Sequence, residues 1–402
     1  MTEVITATYL LTTPLFCGGA DPTKSELRLP SFKGVLRWYW RALAWQRLGG
    51  VLAEIRREEQ CLFGSPDTGR GRVSMRLVGA ANAQRTEKDQ VLKNSTGSTV
   101  GPGARYLGYG VMEAFASNKK GTSAGQLTRG CLMPPLDVTI ELRARGLTDA
   151  QRGSLLDALT ALGLLGGLGG KSRKGYGSLM LARLAVDEQP REVPSSIGAL
   201  EQAIKGLHSG AEIVRGLPAY TALNSQGRHV LVPATGGVDA LGLLDRIGRE
   251  IVRYRSWGHD GKILDGIDSE HNFEKDHDLM KRTEGRHKPR AHPTRIVFGL
   301  PHNYGKGPLQ QVGPSSKEYE RRASPLLIHI HLCGKTPVAV LSFLPAEFLP
   351  AGVGVSVGGT NVPLDREPSL WAPVHALLDR FLGKPGATTR RESFGSAVEV
   401  RL

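Results

Sequence analysis

An α+β fold in two tandem domains is what this sequence predicts, on two observations. The first is the order of hydrophobic periodicities across residues 1–190: strand, helix, strands, helix, strand. The second is a signature that recurs. Tyr176-Gly177-Ser178 precedes Arg183-Leu184, and Phe394-Gly395-Ser396 precedes Arg401-Leu402 at the same interval. Basic residues stand upstream of both, Arg173 and Lys174 in one case and Arg390 and Arg391 in the other. Two related domains explain such a repeat better than chance. The order of elements is the split βαβ plan, so the expected architecture is two ferredoxin-like (RRM-like) βαββαβ domains with loop insertions, over residues 1–190 and 191–402.

The elements follow in order. Thr2 to Leu11 alternates as a half-buried strand does, and Thr12-Thr13-Pro14 with Cys17-Gly18-Gly19 breaks it. Ser31 to Leu48 reads as a helix: Leu36, Trp40 and Leu43 form an apolar row, while Lys33, Arg37 and Arg41 form a cationic stripe beside it. Trp38 and Trp45 lie next to that stripe and are expected to pack rather than to stack on bases. Thr86 to Gly130, polar and dotted with Lys88, Lys93, Lys119 and Lys120, reads as a long irregular insertion with short strands. Pro135 to Arg145 is a strand, Ser154 to Leu165 a helix, Leu179 to Leu184 a strand, and Asp187 to Ser196 a polar linker.

In the second half, Leu241, Leu244, Ile247 and Ile251 mark a helix from Val238 to Tyr254. The basic tract from Gly258 to Arg295 reads as a solvated loop of the kind that orders on RNA.

Composition limits the function. The chain has 402 residues, 40% of them hydrophobic, which is enough for two cores. It carries 52 Lys and Arg against 38 Asp and Glu, a net charge of +14, so an acidic partner, nucleic acid first, is expected. Cys17, Cys61, Cys131 and Cys333 make no CxxC pair, which argues against a zinc ribbon or a disulfide scaffold and fits reduced thiols in the cytoplasm. The N-terminus reads as a strand and not as a signal peptide. The apolar stretch near Leu155 to Gly170 is broken by Asp157 and glycines, so no membrane span is expected.

The segment Leu164 to Ser178 combines six glycines with Lys171, Arg173, Lys174 and Tyr176. It is not a P-loop, because Leu165 stands where the leading glycine is needed, and it is not a Rossmann turn, because Ser172 stands at the third glycine. Anchored by apolar runs at both ends, it reads as a cradle whose backbone amides and cations hold a polyanion.

Catalytic signatures are weak. His259-Asp260, His271, His277-Asp278, His329 and His331 show no HExxH-like metal spacing. They leave open a metal-independent ribonuclease with one His as general acid or base. Gly121-Thr122-Ser123-Ala124-Gly125 lacks the buried strand a nucleophile elbow requires, and Asp21 reads as a turn residue. No metal and no cofactor is expected.

Several pieces together resemble a known family. Thr13 to Asp21, then Glu26 to Leu43, closely resemble the opening of the first-subunit family of the Cmr complex, within the repeat-associated mysterious protein (RAMP) superfamily of CRISPR systems. Gly166 to Gly177 resembles the superfamily's glycine-rich loop. Phe298-Gly299-Leu300-Pro301 and Arg321 to Leu326 resemble the second-domain pattern. The resemblance implies a non-catalytic RNA-binding subunit of a type III-B effector ribonucleoprotein, engaging guide and target RNA near the guide 3′ end beside other Cmr subunits. The alternative is a guide-processing, metal-independent endoribonuclease. A third reading is a scaffold with no RNA contact of its own. The residues implied for RNA contact are Lys33, Arg37, Arg41, Lys171, Arg173, Lys174 and Tyr176, and on looser matches Arg255, Trp257, His259, Arg321 and Arg322.

Overall fold

The structure, a computed structural model, describes residues 2–21, 23–79, 83–209, 214–258, 260–364 and 368–400. The first half contains β1 (Thr2–Leu11), α1 (Leu29–Arg47), α2 (Leu52–Phe63), β2 (Val73–Gly79), β3 (Arg85–Thr86), α3 (Pro102–Leu107), β4 (Cys131–Leu132), β5 (Leu136–Arg145), α4 (Asp149–Leu165), β6 (Leu179–Val186) and β7 (Gln189–Arg191). Its main sheet runs β2-β5-β1-β6-β7, every pair antiparallel. Alternation sets which face is buried: Ile5, Ala7, Tyr9 and Leu11 of β1 and Val138, Ile140 and Leu142 of β5 are all sealed from solvent. The Tyr9 hydroxyl donates to the Leu159 carbonyl at 2.9 Å, which pins the sheet to α4. That helix starts on a reciprocal capping box, Thr148 with Gln151, and stops at Gly166.

The second half contains α5 (Ile197–Gly206), β8 (Arg228–Pro233), α6 (Ala240–Arg255), α7 (Glu274–Glu284), β9 (Val312–Pro314), β10 (Leu326–Cys333), β11 (Thr336–Phe343), β12 (Val355–Val357), β13 (Thr360–Val362), α8 (Ala372–Leu382) and β14 (Val398–Val400). Its main sheet is β10-β11-β8-β14, again antiparallel. The recurring signature leads into the same place in each sheet, because β6 lies beside β1 as β14 lies beside β8. Arg401 and Leu402, its last two residues, lie outside the described residues.

Two segments are more ordered than their composition suggests. The tract from Gly258 to Arg295 holds α7, which buries Met280 and Thr283. The buried carboxylate of Asp276 accepts from the backbone N–H of Thr294 at 2.8 Å and of Arg295 at 2.9 Å, so one side chain closes the whole excursion. The polar linker after β6 supplies β7, an edge strand.

The insertion between β3 and β4 does not stay with its own half. Leu92, Val100, Leu107, Met112 and Leu127 share a buried cluster with Leu241, Leu244 and Ile247 of α6. α3 crosses α6 at two glycines in contact: a Cβ on Gly103 would lie 2.0 Å from the Asp245 carbonyl oxygen, and one on Gly248 would lie 2.2 Å from that of Gly103. The Ala104 N–H donates to Asp245 Oδ1 at 3.0 Å beside this crossing. Below α6, Arg380 of α8 is fully buried, donating to Glu250 at 2.6 Å and to both oxygens of Glu270 at 2.6 and 2.7 Å.

Candidate nucleic-acid interface

The glycine-rich loop leaves α4 at Gly166 and enters β6 at Leu179. Its glycines serve turns and close approach. Gly169 sits at φ +81° where a Cβ would meet the Phe16 carbonyl at 2.4 Å, and Gly177 sits at φ +61° against the Leu168 carbonyl at 2.1 Å. Most of the loop's amides are already committed. Gly170 N donates to Phe16 O, Gly177 N to Pro14 O, Leu168 N to Gly177 O, and Lys174 N and Tyr176 N to Lys171 O. The expectation of a backbone phosphate cradle is corrected here: these N–H groups hold the loop's own shape, and any anion must be met by side chains.

Tyr176, expected at the RNA surface, is instead a core residue. It is sealed from solvent, its hydroxyl donates to Ala104 O at 2.8 Å, and its ring meets Phe16 edge-on at 5.5 Å. An aromatic between glycines is read from sequence as exposed. Here it is the plug that ties the loop to α3.

The three cations of the loop point to two different places. The Arg173 guanidinium lies 5.8 Å from the Trp38 ring centroid of α1 and donates to Ser324 O at 2.5 Å, so it joins the first helix to the second half. Lys171 and Lys174 face the other way, into a cavity of about 640 Å³ shared with Arg255 at the end of α6. Lys174, half-buried and surrounded by Arg255, Arg173 and Lys171, has its pKa pushed down to about 7, first by burial and then by those like charges. Lys171 is shifted down as well, by burial and by Arg129 and Arg321. The nearness of Arg321 to Lys171 brings the second-half loop into the same field.

The stripe on α1 is partly neutralised. Arg37 and Arg41 both donate to one oxygen of Glu59 on α2, at 2.7 and 2.6 Å, and Lys33 donates to the Phe63 carbonyl at 2.8 Å. Glu59 is only 6% exposed. Its replacement by glutamine is expected to cost about 1–2 kcal/mol in urea unfolding, because two charge-assisted bonds weaken together. A variant as stable as the parent would show that the clamp contributes nothing. Arg41 also lines a groove with Trp38, Tyr220, Tyr319, Arg321 and Arg322. Arg322 donates to Thr221 Oγ1 at 3.3 Å.

Among the remaining expected contacts, Arg255 donates to the Tyr106 hydroxyl at 3.1 Å and lies 4.5 Å from the Phe298 ring centroid. Trp257 already stacks with two imidazoles, His271 at 4.2 Å and His277 at 4.4 Å, so it is engaged within the fold. His259 lies outside the described residues. His329 and His331 are buried, and His329 Nδ1 lies 2.6 Å from the Gly166 carbonyl, which makes them packing residues. Asp21 closes a turn, accepting from Thr23 N at 2.9 Å.

The buried Nε atoms of Arg173, Arg255 and Arg322 have no hydrogen-bond partner among the described residues. Buried donors left open in a cationic seam are what an incoming phosphate satisfies. Residues that sequence reasoning missed are Glu59, Arg129, and the exposed aromatics Tyr109 and Phe115 of the insertion. The two aromatics stand in an otherwise polar segment, a signal that was available. Among the described residues no cluster of metal-ligating side chains occurs, and no helix is long and apolar enough to cross a membrane.

Residues 8–180 match the RAMP superfamily. A Pyrococcus furiosus protein described as CRISPR system Cmr subunit Cmr1-2 is 28% identical over 179 residues, 43% of this chain and 91% of its own. The same organism's Cmr subunit Cmr1-1 is 24% identical over 368 residues, 87% of each chain. The crystal structure of Cmr1 from Pyrococcus furiosus in its apo form has a similar fold, with a TM-score of 0.54 at 20% identity, covering 100% of this chain and 98% of that one. The superfamily match thus lies in the first half, over residues 8–180, and similarity to a Cmr1 subunit runs along 87% of the chain in the longer alignment.

Proposed function

We propose that the chain is a non-catalytic RNA-binding subunit of a type III-B CRISPR effector ribonucleoprotein, acting in the cytoplasm beside other Cmr subunits and gripping guide and target RNA near the guide 3′ end. Its two halves, over residues 1–190 and 191–402, are read as ferredoxin-like units. The strand orders β2-β5-β1-β6 and β10-β11-β8-β14 support that reading, since each sets the first and last strands of a βαββαβ plan side by side.

One observation carries the functional reading: cations of the two halves adjoin along the loop, Lys171 and Lys174 with Arg255 and Arg321, Arg173 with Arg322, and three of those arginines keep a buried Nε open. Such a seam holds phosphates without reading bases, as a subunit that must accept many guides requires.

The side chains of Lys171 and the exposed Arg321 make no hydrogen bond to another described residue, so their truncation tests binding with little cost to folding. Lys171→Ala with Arg321→Ala is expected to weaken single-stranded RNA binding about tenfold and to lower the slope of log K against log salt by about 1, at roughly 0.7 per phosphate contact. An unchanged affinity and slope would support the scaffold reading instead. Labelled repeat RNA incubated with the protein in EDTA is expected to stay intact. A defined product lost on His271→Ala would establish the ribonuclease reading.

A further inference from the structure

We propose that the cavity between the glycine-rich loop and the end of α6 is a pocket for one nucleotide splayed out of an RNA strand, its phosphate on Lys171, Lys174 and Arg255 and its base against Tyr109 and Phe115. This assignment rests on the RNA-binding reading above and deepens it: the seam as a whole grips a backbone, whereas this pocket takes a base.

The cavity, about 640 Å³, lies within the roughly 300–1,000 Å³ range of small-molecule sites. Its walls combine apolar Leu107, Ala114, Val252 and Leu264 with cations, and among the described residues no carboxylate lines it. Lys262, also on the wall, is paired with Asp268 and so is not counted among the free cations. Lys171 and Lys174 have no acceptor among the described residues, and Arg255 keeps its buried Nε open.

The aromatic part is an independent observation. Tyr109 is 69% and Phe115 60% exposed, the two most exposed large hydrophobic side chains among the described residues, and both border this one cavity. They are held in place by backbone bonds around them: Tyr109 N donates to Tyr106 O, Met112 N to Gly108 O and Glu113 N to Gln126 O. Lys171 sits at φ +62° with its ammonium beside Gly110, 3.8 Å from where a Cβ would be, so cation and aromatic meet across a single residue of chain.

An anion site alone does not account for two exposed rings, and an apolar docking patch does not account for three cations with no carboxylate partner among the described residues. A nucleotide uses both, through base stacking and phosphate pairing. A single unstacked base fits a bounded cavity, whereas a continuous stack needs an open platform.

The test compares two labelled single-stranded RNA oligonucleotides, one unmodified and one carrying abasic residues with the same phosphates, on the full-length chain and on Tyr109→Ala with Phe115→Ala. Both side chains are exposed, so the variant is expected to fold, and its thermal transition is checked alongside. Affinity for the unmodified RNA is expected to fall about tenfold or more in the variant, with less than twofold change for the abasic strand. Equal losses on both strands, or none on either, overturn the pocket. Micromolar binding of free AMP that the variant abolishes, with RNA affinity intact, also overturns it, in favour of a mononucleotide site. Failure of the unmodified chain to bind RNA in a salt-dependent way sinks the parent reading. Salt-dependent binding without a base-dependent loss sinks only the pocket.

Discussion

Replacing Arg380 with alanine is expected to lower the unfolding free energy by about 3–5 kcal/mol, a large part of what a domain has to spare. The reason lies in what is left behind. Glu250 is fully buried, and Arg380 is its principal counter-charge. Arg253 at 3.2 Å and the backbone N–H groups of Arg391 and Glu392 at 2.7 and 2.6 Å remain as donors, but they do not fill the space of the lost guanidinium. Glu270 loses a two-pronged partner at the same time. Urea unfolding followed by tryptophan fluorescence measures the loss. Arg380→Met combined with Glu250→Met is expected to recover part of it, because the buried charge of Glu250 is removed together with its partner, while Glu270 still lacks Arg380. If the single alanine variant unfolds within about 1 kcal/mol of the parent, the buried ion pair is not what holds α8 to α6.

RNA affinity is expected to fall steeply as pH rises from about 6.5 to 8.5, approaching tenfold per pH unit above pH 7. Lys174 carries the effect. In the free chain its pKa is held near 7 by burial and by Arg255, Arg173 and Lys171. A phosphate placed among these groups favours the ammonium and raises that value. Above pH 7, therefore, the complex holds a proton that the free chain lacks, binding takes that proton up, and affinity drops as protons become scarce. Below about pH 7 the lysine is charged in both states and the dependence flattens. Lys174→Arg keeps the charge without the titration and is expected to bind RNA with little change across the range. A pH-independent affinity in the unsubstituted protein, measured at constant ionic strength, would remove Lys174 from the binding site.

Where local periodicity dominates, the fold is legible in the chain. β1, α1, β5, α4 and β6 fall within a few residues of where alternation and the i, i+4 rows place them, since each buries one face on a single neighbouring layer. The repeat of Tyr176-Gly177-Ser178 in Phe394-Gly395-Ser396 likewise marks strands that take equivalent positions in the two sheets. Partnership is less legible. The row Lys33, Arg37, Arg41 is plain in sequence, but its quenching by Glu59, 18 and 22 residues away, depends on how α2 folds back on α1. α7 hides in a polar tract because its order derives from one buried carboxylate, Asp276, and not from an apolar stripe. The glycine-rich loop was legible as special but misread in its mechanism. Its glycines permit tight backbone contact, so the amides that sequence reasoning offered to a ligand are used within the fold, and Tyr176 turns inward.

The meeting of Gly103 with Gly248 bears on how a strand could enter. Backbones touching without side chains between them cannot slide or part without breaking α3 from α6, and Asp245 fastens the same point. The molecule is therefore not a clamshell that swings shut on its cargo. In the RNA-binding reading proposed above, a fixed joint between these helices means that little reorganisation is charged against binding.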